Sequence, residues 1–259
     1  MLLAIDVGNT SISFGVFQDK KLIKKFNLTS DKKRSSDEYG VIIKSILSQN
    51  DLAQEQIDFA IMASVVPTLT DILKTAIKEY LGIDVLKVTT KINSGVKYLL
   101  ENPKELGADR IANARAAIDI APNKNCIVVD FGTATNFDVV SKNCEFLGGA
   151  IAAGINISAL ALSNFTSLLP KIRVEKPPYA IGKNTVDCIL SGLIIGHAKM
   201  IDGMIEEIEK ELGEKAVIIA TGGYNDIVKS SMKRKFDYIE PDLTLNGLRL
   251  IYETQKSEG

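Results

Sequence analysis

Cysteine is scarce in this chain. Only Cys126, Cys144 and Cys188 occur, too few and too widely spaced for a disulfide framework or a Cys-x-x-Cys zinc site. They read as three reduced thiols. Net charge is nearly absent as well: 31 basic against 32 acidic residues leave −1. No overall basic field therefore points to nucleic acid, and no acidic tail is present. No unbroken run of about 18 apolar residues occurs. The most apolar stretch, Gly148 to Leu162, is broken by Gly154, Asn156 and Ser158. The start, MLLAIDVGNT, lacks a basic leader and turns polar after five residues, so it reads as a core strand rather than a signal peptide. The expectation is a cytoplasmic protein without membrane or nucleic-acid partners. Histidine occurs once, at His197, among apolar residues of an expected helix. A catalytic base would need a partner, and none is visible, so His197 reads as structural.

What remains is a chain able to bury a core, with 46% hydrophobic and 24% charged residues. The first half reads β-β-β-α-β-α-β. Met1–Val7 is a short apolar run, and Ser11–Phe17 alternates with Ile12, Phe14 and Val16 on one face. A turn at Asp19-Lys20-Lys21 leads into Leu22–Leu28. Val41, Ile42, Ile46 and Leu47 have helical spacing after Ser36-Asp37-Glu38. Phe59–Val66 reads as a buried strand, Pro67 opens a second helix, and Asp84–Val88 is another strand. The second half restarts at Cys126 with strands at Ile127–Val129, Asn136–Val140 and Phe146–Ala150. A long helix is expected from about Asn184 to Leu212, then a strand at Ala216–Ala220 and a closing helix over Leu243–Glu253.

The halves begin alike. Ile5-Asp6-Val7-Gly8-Asn9-Thr10 aligns with Val129-Asp130-Phe131-Gly132-Thr133-Ala134, each an apolar strand ending in Asp-x-Gly before a second strand. A duplicated β-β-β-α-β-α unit with a cleft between the copies is the natural architecture; coincidence of a common turn is the alternative. In the first hairpin, Gly8 lets the backbone approach a ligand, while Asn9, Thr10 and Ser11 offer donors. Such a loop can hold phosphate oxygens, and Asp6 can orient hydrated magnesium. An ordinary hairpin with a capping Asp would use the same residues. A third segment, Ala220-Thr221-Gly222-Gly223, follows a strand and permits close approach of a flat ring or ribose. It does not form the Gly-x-Gly-x-x-Gly dinucleotide fingerprint.

Taken together, DVGNT at 6–10, GADR at 107–110, DFGTAT at 130–135 and ATGG at 220–223 resemble the type III pantothenate kinases of the actin and sugar-kinase superfamily, in that family's order and over nearly the whole chain. The resemblance implies an α/β fold of two ribonuclease-H-like domains, residues 1–118 and 119–259. It also implies a homodimer, and transfer of the ATP γ-phosphoryl to the primary hydroxyl of pantothenate, the first step of coenzyme A synthesis. By the same resemblance Asp6, Val7, Gly8, Asn9, Thr10, Ser11, Ile12 and Ser13 form the ATP phosphate hairpin. Thr133 is a further phosphate contact, and Asp130 a ligand of a monovalent cation, K⁺ or NH₄⁺. Gly107, Ala108, Asp109 and Arg110 form the substrate segment with Asp109 as general base. Thr185 is a substrate contact given across the dimer, and Mg²⁺ accompanies ATP. The family's usual tyrosine ahead of this segment is replaced by Leu100, with Tyr98 two residues earlier. Rival readings are a kinase for another small alcohol, a phosphatase, or a regulatory protein. A dimer is also expected from Ile189, Leu190, Leu193, Ile194 and Ile195, more apolar surface than one helix face requires.

Overall fold

The computed structural model describes residues 1–257. Its strands are β1 (Leu2–Val7), β2 (Ser11–Gln18), β3 (Lys21–Thr29), β4 (Phe59–Ser64), β5 (Val85–Lys87), β6 (Lys97–Tyr98), β7 (Cys126–Phe131), β8 (Ala134–Val140), β9 (Glu145–Ala153), β10 (Val217–Gly222) and β11 (Tyr238–Ile239). Its α-helices are α1 (Ser36–Ser48), α2 (Pro67–Leu81), α3 (Ala108–Ile120), α4 (Ile155–Asn164), α5 (Thr185–Leu212), α6 (Asn225–Val228) and α7 (Leu243–Lys256). The chain divides into two compact units: Met1–Ala116 with the segment from Leu243 onward, and Ala117–Asp242.

In the first unit the strand order is β3-β2-β1-β4-β5. β1 runs antiparallel to β2 and parallel to β4. Leu2, Leu3, Ala4 and Ile5 are all buried, as a central strand covered on both faces requires. Phe14 of β2 stacks on Phe26 of β3 with centroids 4.7 Å apart. α1 starts where Ser35 and Glu38 form a reciprocal capping box, and α2 starts on Pro67 and stops at Gly82 in the left-handed conformation. Both helices bury their apolar stripes, Ile43 and Leu47 from one and Leu69, Leu73 and Ile77 from the other, in this unit's core.

The second unit repeats the plan. Its strands follow the order β11-β10-β7-β8-β9, with β7 antiparallel to β8 and parallel to β10. The β1 and β7 strands share one burial pattern: four buried residues, a half-buried Asp, then a buried residue. Matched order, strand direction and burial bear out the two-copy α/β architecture.

Three features depart from the sequence reading. Helix α7 groups with the first unit, whereas residues 119–259 were expected to form one domain. It packs so closely on α3 that a Cβ at Gly247 would lie 1.9 Å from the Ala112 carbonyl oxygen, and Thr244 donates to Asn113 Oδ1 at 2.8 Å. Helix α4 was not foreseen; it follows directly on β9, whose length was underestimated because Gly148 and Gly149 sit in it at φ 126° and 157°. Finally, α5 is long and apolar enough to cross a membrane by length and composition, although polar residues interrupt its apolar run. Its buried face, including Leu190, Ile194, Ala198 and Ile201, forms the core of the second unit.

Candidate active site

In the first unit, β1 delivers Asp6 to a tight loop. Val7 pairs with Ile12, leaving Gly8, Asn9, Thr10 and Ser11 as the four loop residues, closed by Gly8 N–H donating to Ser11 O at 3.0 Å. Val7 and Ile12 point into the core, so only their backbone could meet a ligand. Asp6 lies opposite Ser13, both half-buried, while Asn9, Thr10 and Ser11 are exposed. Ser30 ties the loop down from outside: its hydroxyl donates to Gly8 O at 2.6 Å and its N–H to Thr10 O at 3.1 Å. The sequence did not single Ser30 out, because it is separated from the loop by the whole of β2 and β3.

The Gly107-Ala108-Asp109-Arg110 segment lies close by. Val65, just beyond β4, donates its N–H to Val7 O at 3.1 Å. A Cβ on Gly107 would be 3.5 Å from Val65 Cγ1, so the first hairpin and the Gly107-Ala108-Asp109-Arg110 stretch meet at the C-terminal ends of β1 and β4. Asp109 stands in the first turn of α3. Its Oδ1 accepts the Arg110 N–H at 2.8 Å and folds back over Gly107, where any Cβ would approach it to 2.5 Å. Burial pushes the Asp109 carboxyl above its ordinary range, partly offset by the Arg110 N–H and guanidinium. The raised value makes the carboxylate a better proton acceptor than a solvated Asp. Leu100 is half-buried. Tyr98 bonds to the buried Ser94 hydroxyl at 2.5 Å, and burial raises its phenol. Tyr98 is thus fastened within its own segment.

In the second unit Phe131 pairs with Thr135, leaving a three-residue loop of Gly132, Thr133 and Ala134, one residue shorter than the first. Asp130 is flanked across the sheet by Asn136 on β8 and Thr221 on β10, giving an oxygen-rich setting. The Ala220-Thr221-Gly222-Gly223 segment thus lies partly within β10, not in a free turn. Gly222, at φ 87°, comes so near the hairpin that a Cβ would stand 2.5 Å from Phe131 O, and Gly223 N–H donates to that oxygen at 3.2 Å. On the other side Gly154, at the head of α4, leaves no room for a Cβ: Thr133 O would be 2.3 Å away and Gly132 O 2.7 Å. Thr135 hydrogen-bonds to His197 Nε2 at 2.9 Å, a contact that sequence patterns could not reveal.

Thr185 is the exposed first residue of α5, capped by Asn184, which accepts the Asp187 N–H at 2.9 Å. It borders an apolar groove of about 790 Å³ between α4 and α5. Of the residues that suggested a dimer, Ile189, Leu190, Leu193 and Ile194 are buried; Ile194 belongs to the second unit's core, and Ile189 and Leu193 line this groove. Exposed apolar side chains stand on α4 and the segment after it, Ile157, Leu160, Phe165 and Leu168, the last two 88% and 90% exposed.

Two copies of one β-β-β-α-β-α plan, each opening with an Asp-x-Gly hairpin, define the fold of the actin and sugar-kinase superfamily. Solved structures agree on the fold. A protein of Campylobacter jejuni described as a Baf family transcriptional activator aligns over 98% of this chain and 99% of its own, with TM-score 0.61 and 20% identity. A protein of Sinorhizobium meliloti described as a 2-dehydro-3-deoxygalactonokinase aligns over 98% and 99%, with TM-score 0.59 and 11% identity. Within that superfamily the chain belongs to the type III pantothenate kinase family, whose profile it matches over residues 2–207. The type III pantothenate kinase of Dehalococcoides mccartyi strain CBDB1 is 44% identical across 98% of this chain and 96% of that protein.

Proposed function

We propose that this chain transfers the γ-phosphoryl group of ATP to the primary hydroxyl of pantothenate, giving 4′-phosphopantothenate and ADP, the first step of coenzyme A synthesis. Family membership supplies the substrate, and the setting of Asp109 carries the chemistry. A desolvated carboxylate on a rigid helix start, beside a loop rich in exposed donors, is the arrangement a hydroxyl nucleophile needs. Asp109 accepts the hydroxyl proton as the oxygen bonds to phosphorus and the bond to the ADP oxygen breaks. Arg110 contacts the pantothenate or the transferring phosphoryl. The Gly8–Ser11 loop, with Asp6 and Ser13 behind it, and Thr133 on the other hairpin bind the nucleotide phosphates.

The donor sets suit hard cations. Asp6 would orient a hydrated Mg²⁺, and Asp130, with the Thr221 hydroxyl on the adjacent strand, would hold K⁺ or NH₄⁺. Such ions, when bound, neutralise phosphate charge. The exposed apolar surface of α4 is the natural seat of a second copy, and in a two-fold dimer Thr185 would reach the partner's substrate. Cytoplasmic residence, without membrane or nucleic-acid partners, completes the reading. A coupled ADP-release assay tests it. Pantothenate-dependent release that rises when potassium replaces sodium supports the reading, whereas release that ignores pantothenate refutes it.

A further inference from the structure

The two hairpins differ in what holds them, and the difference singles out the lone histidine. The second hairpin is gripped at its backbone by Gly222 and Gly223 on one side and Gly154 on the other. Beneath it lies a buried polar side-chain contact, Thr135 Oγ1 to His197 Nε2 at 2.9 Å, with the residues only 1% and 8% exposed. An apolar pair would fill that space without leaving two polar groups to satisfy. The His197 ring also lies 6.3 Å from that of Phe131, the residue that pairs with Thr135 at the mouth of the hairpin. His197 thus touches both strands that carry the loop. It stands twelve residues along α5 from Thr185, about 18 Å at the usual rise. One rigid helix therefore bears both the hairpin's brace and Thr185.

We propose that His197 is a positioning residue for phosphoryl transfer: through Thr135 it fixes the Gly132-Thr133-Ala134 loop in the geometry that receives nucleotide phosphate. It does not touch substrate and moves no proton. The inference rests on the reading of this hairpin as a nucleotide site, and the test separates the two. Thr135→Val and His197→Leu each remove the hydrogen bond at nearly constant volume, while Thr135→Ser and His197→Gln can restore it. The expected result is a KM for ATP raised about tenfold in both disruptive variants, the size of one lost hydrogen bond. The double variant should be no worse than the poorer single. KM for pantothenate should be unchanged, and the conservative variants should return within about threefold of wild type, about 0.65 kcal/mol.

Because the chain has one histidine, the wild-type imidazole ¹⁵N signals report on the same contact without any mutation. They should shift when a non-hydrolysable ATP analogue is added and stay still with pantothenate alone. A lower melting temperature with unchanged KM for ATP would make His197 purely structural, and the proposal would fail. A still imidazole signal on saturation with the analogue would overturn it equally. Loss of ATP binding in Thr133→Ala alongside normal Thr135→Val and His197→Leu would sink this inference alone. Normal ATP binding in Thr133→Ala and Asp130→Asn would sink the hairpin reading itself.

Discussion

The two Asp-x-Gly hairpins descend from the same plan yet are built for different duties. The first has a four-residue loop with three exposed polar side chains, tied from outside by Ser30. The second is one residue shorter, offers fewer side chains, and is packed against Gly154, the Gly222–Gly223 turn and His197. One copy presents donors; the other presents backbone in fixed geometry. Duplication supplies a repeated frame, and the residues that differ between copies set how each hairpin is held.

The largest expected effect lies outside both hairpins. If they bind and Asp109 takes the proton, Asp109→Asn should cut kcat by roughly 10²–10⁴-fold with KM for ATP nearly unchanged. Burial raises the Asp109 carboxyl, so its charged form costs stability once pH rises through its folded value. The same variant should therefore lose no melting temperature at neutral pH. A stable variant retaining a third of wild-type kcat would remove Asp109 from the mechanism.

The next comparison pits two glycines against each other. At Gly154 a methyl group collides with hairpin backbone at 2.3 Å, so Gly154→Ala should cost about 1–3 kcal/mol and lower the melting temperature by roughly 3–10 °C. At Gly8 the nearest atom is Ser11 O at 3.2 Å, with no positive φ to strain. Gly8→Ala should leave the melting temperature within about 2 °C and, on the proposed reading of this loop as the phosphate site, raise KM for ATP several-fold. Equal thermal losses in both variants would erase the distinction between a packed hairpin and a ligand-facing one.

The smallest effect is one of pH. Burial keeps the His197 imidazole below its ordinary value. The unfolded chain binds a proton there near pH 6.5 and the folded chain only at lower pH, so stability is full above that value and falls as pH drops below it. Urea titrations between pH 7.5 and 5 should show this decline, and His197→Gln should flatten it. A slope unchanged in the variant would assign the decline to other groups.

Much of this architecture was legible in the sequence, for identifiable reasons. The hairpins announce themselves because an apolar run ending in Asp-x-Gly occurs twice, each time ahead of a second strand. The boundaries of α5 follow from Asn184 as its cap and Gly213 as its stop. What stayed hidden depends on contacts distant in the chain. Gly247 reveals its role only against Ala112, and α7 joins the first unit by packing on β1, β4 and β2. The Thr135–His197 bond spans 62 residues. Helix α4 has a weakly patterned, alanine-rich sequence with apolar residues on several faces, so periodicity gave no signal there. Tyr98, two residues before Leu100, spends its hydroxyl on Ser94, a partner only four residues away.

The central claim is that the carboxylate at Asp109 directs the γ-phosphoryl of ATP onto pantothenate. Phosphorus-31 NMR of the wild-type chain with MgATP, potassium and pantothenate observes both products at once. The account predicts a new phosphomonoester resonance growing in step with ADP, and no such growth in Asp109→Asn under the same conditions. ADP that accumulates with inorganic phosphate and no phosphomonoester, or a phosphomonoester formed equally well by Asp109→Asn, would contradict it.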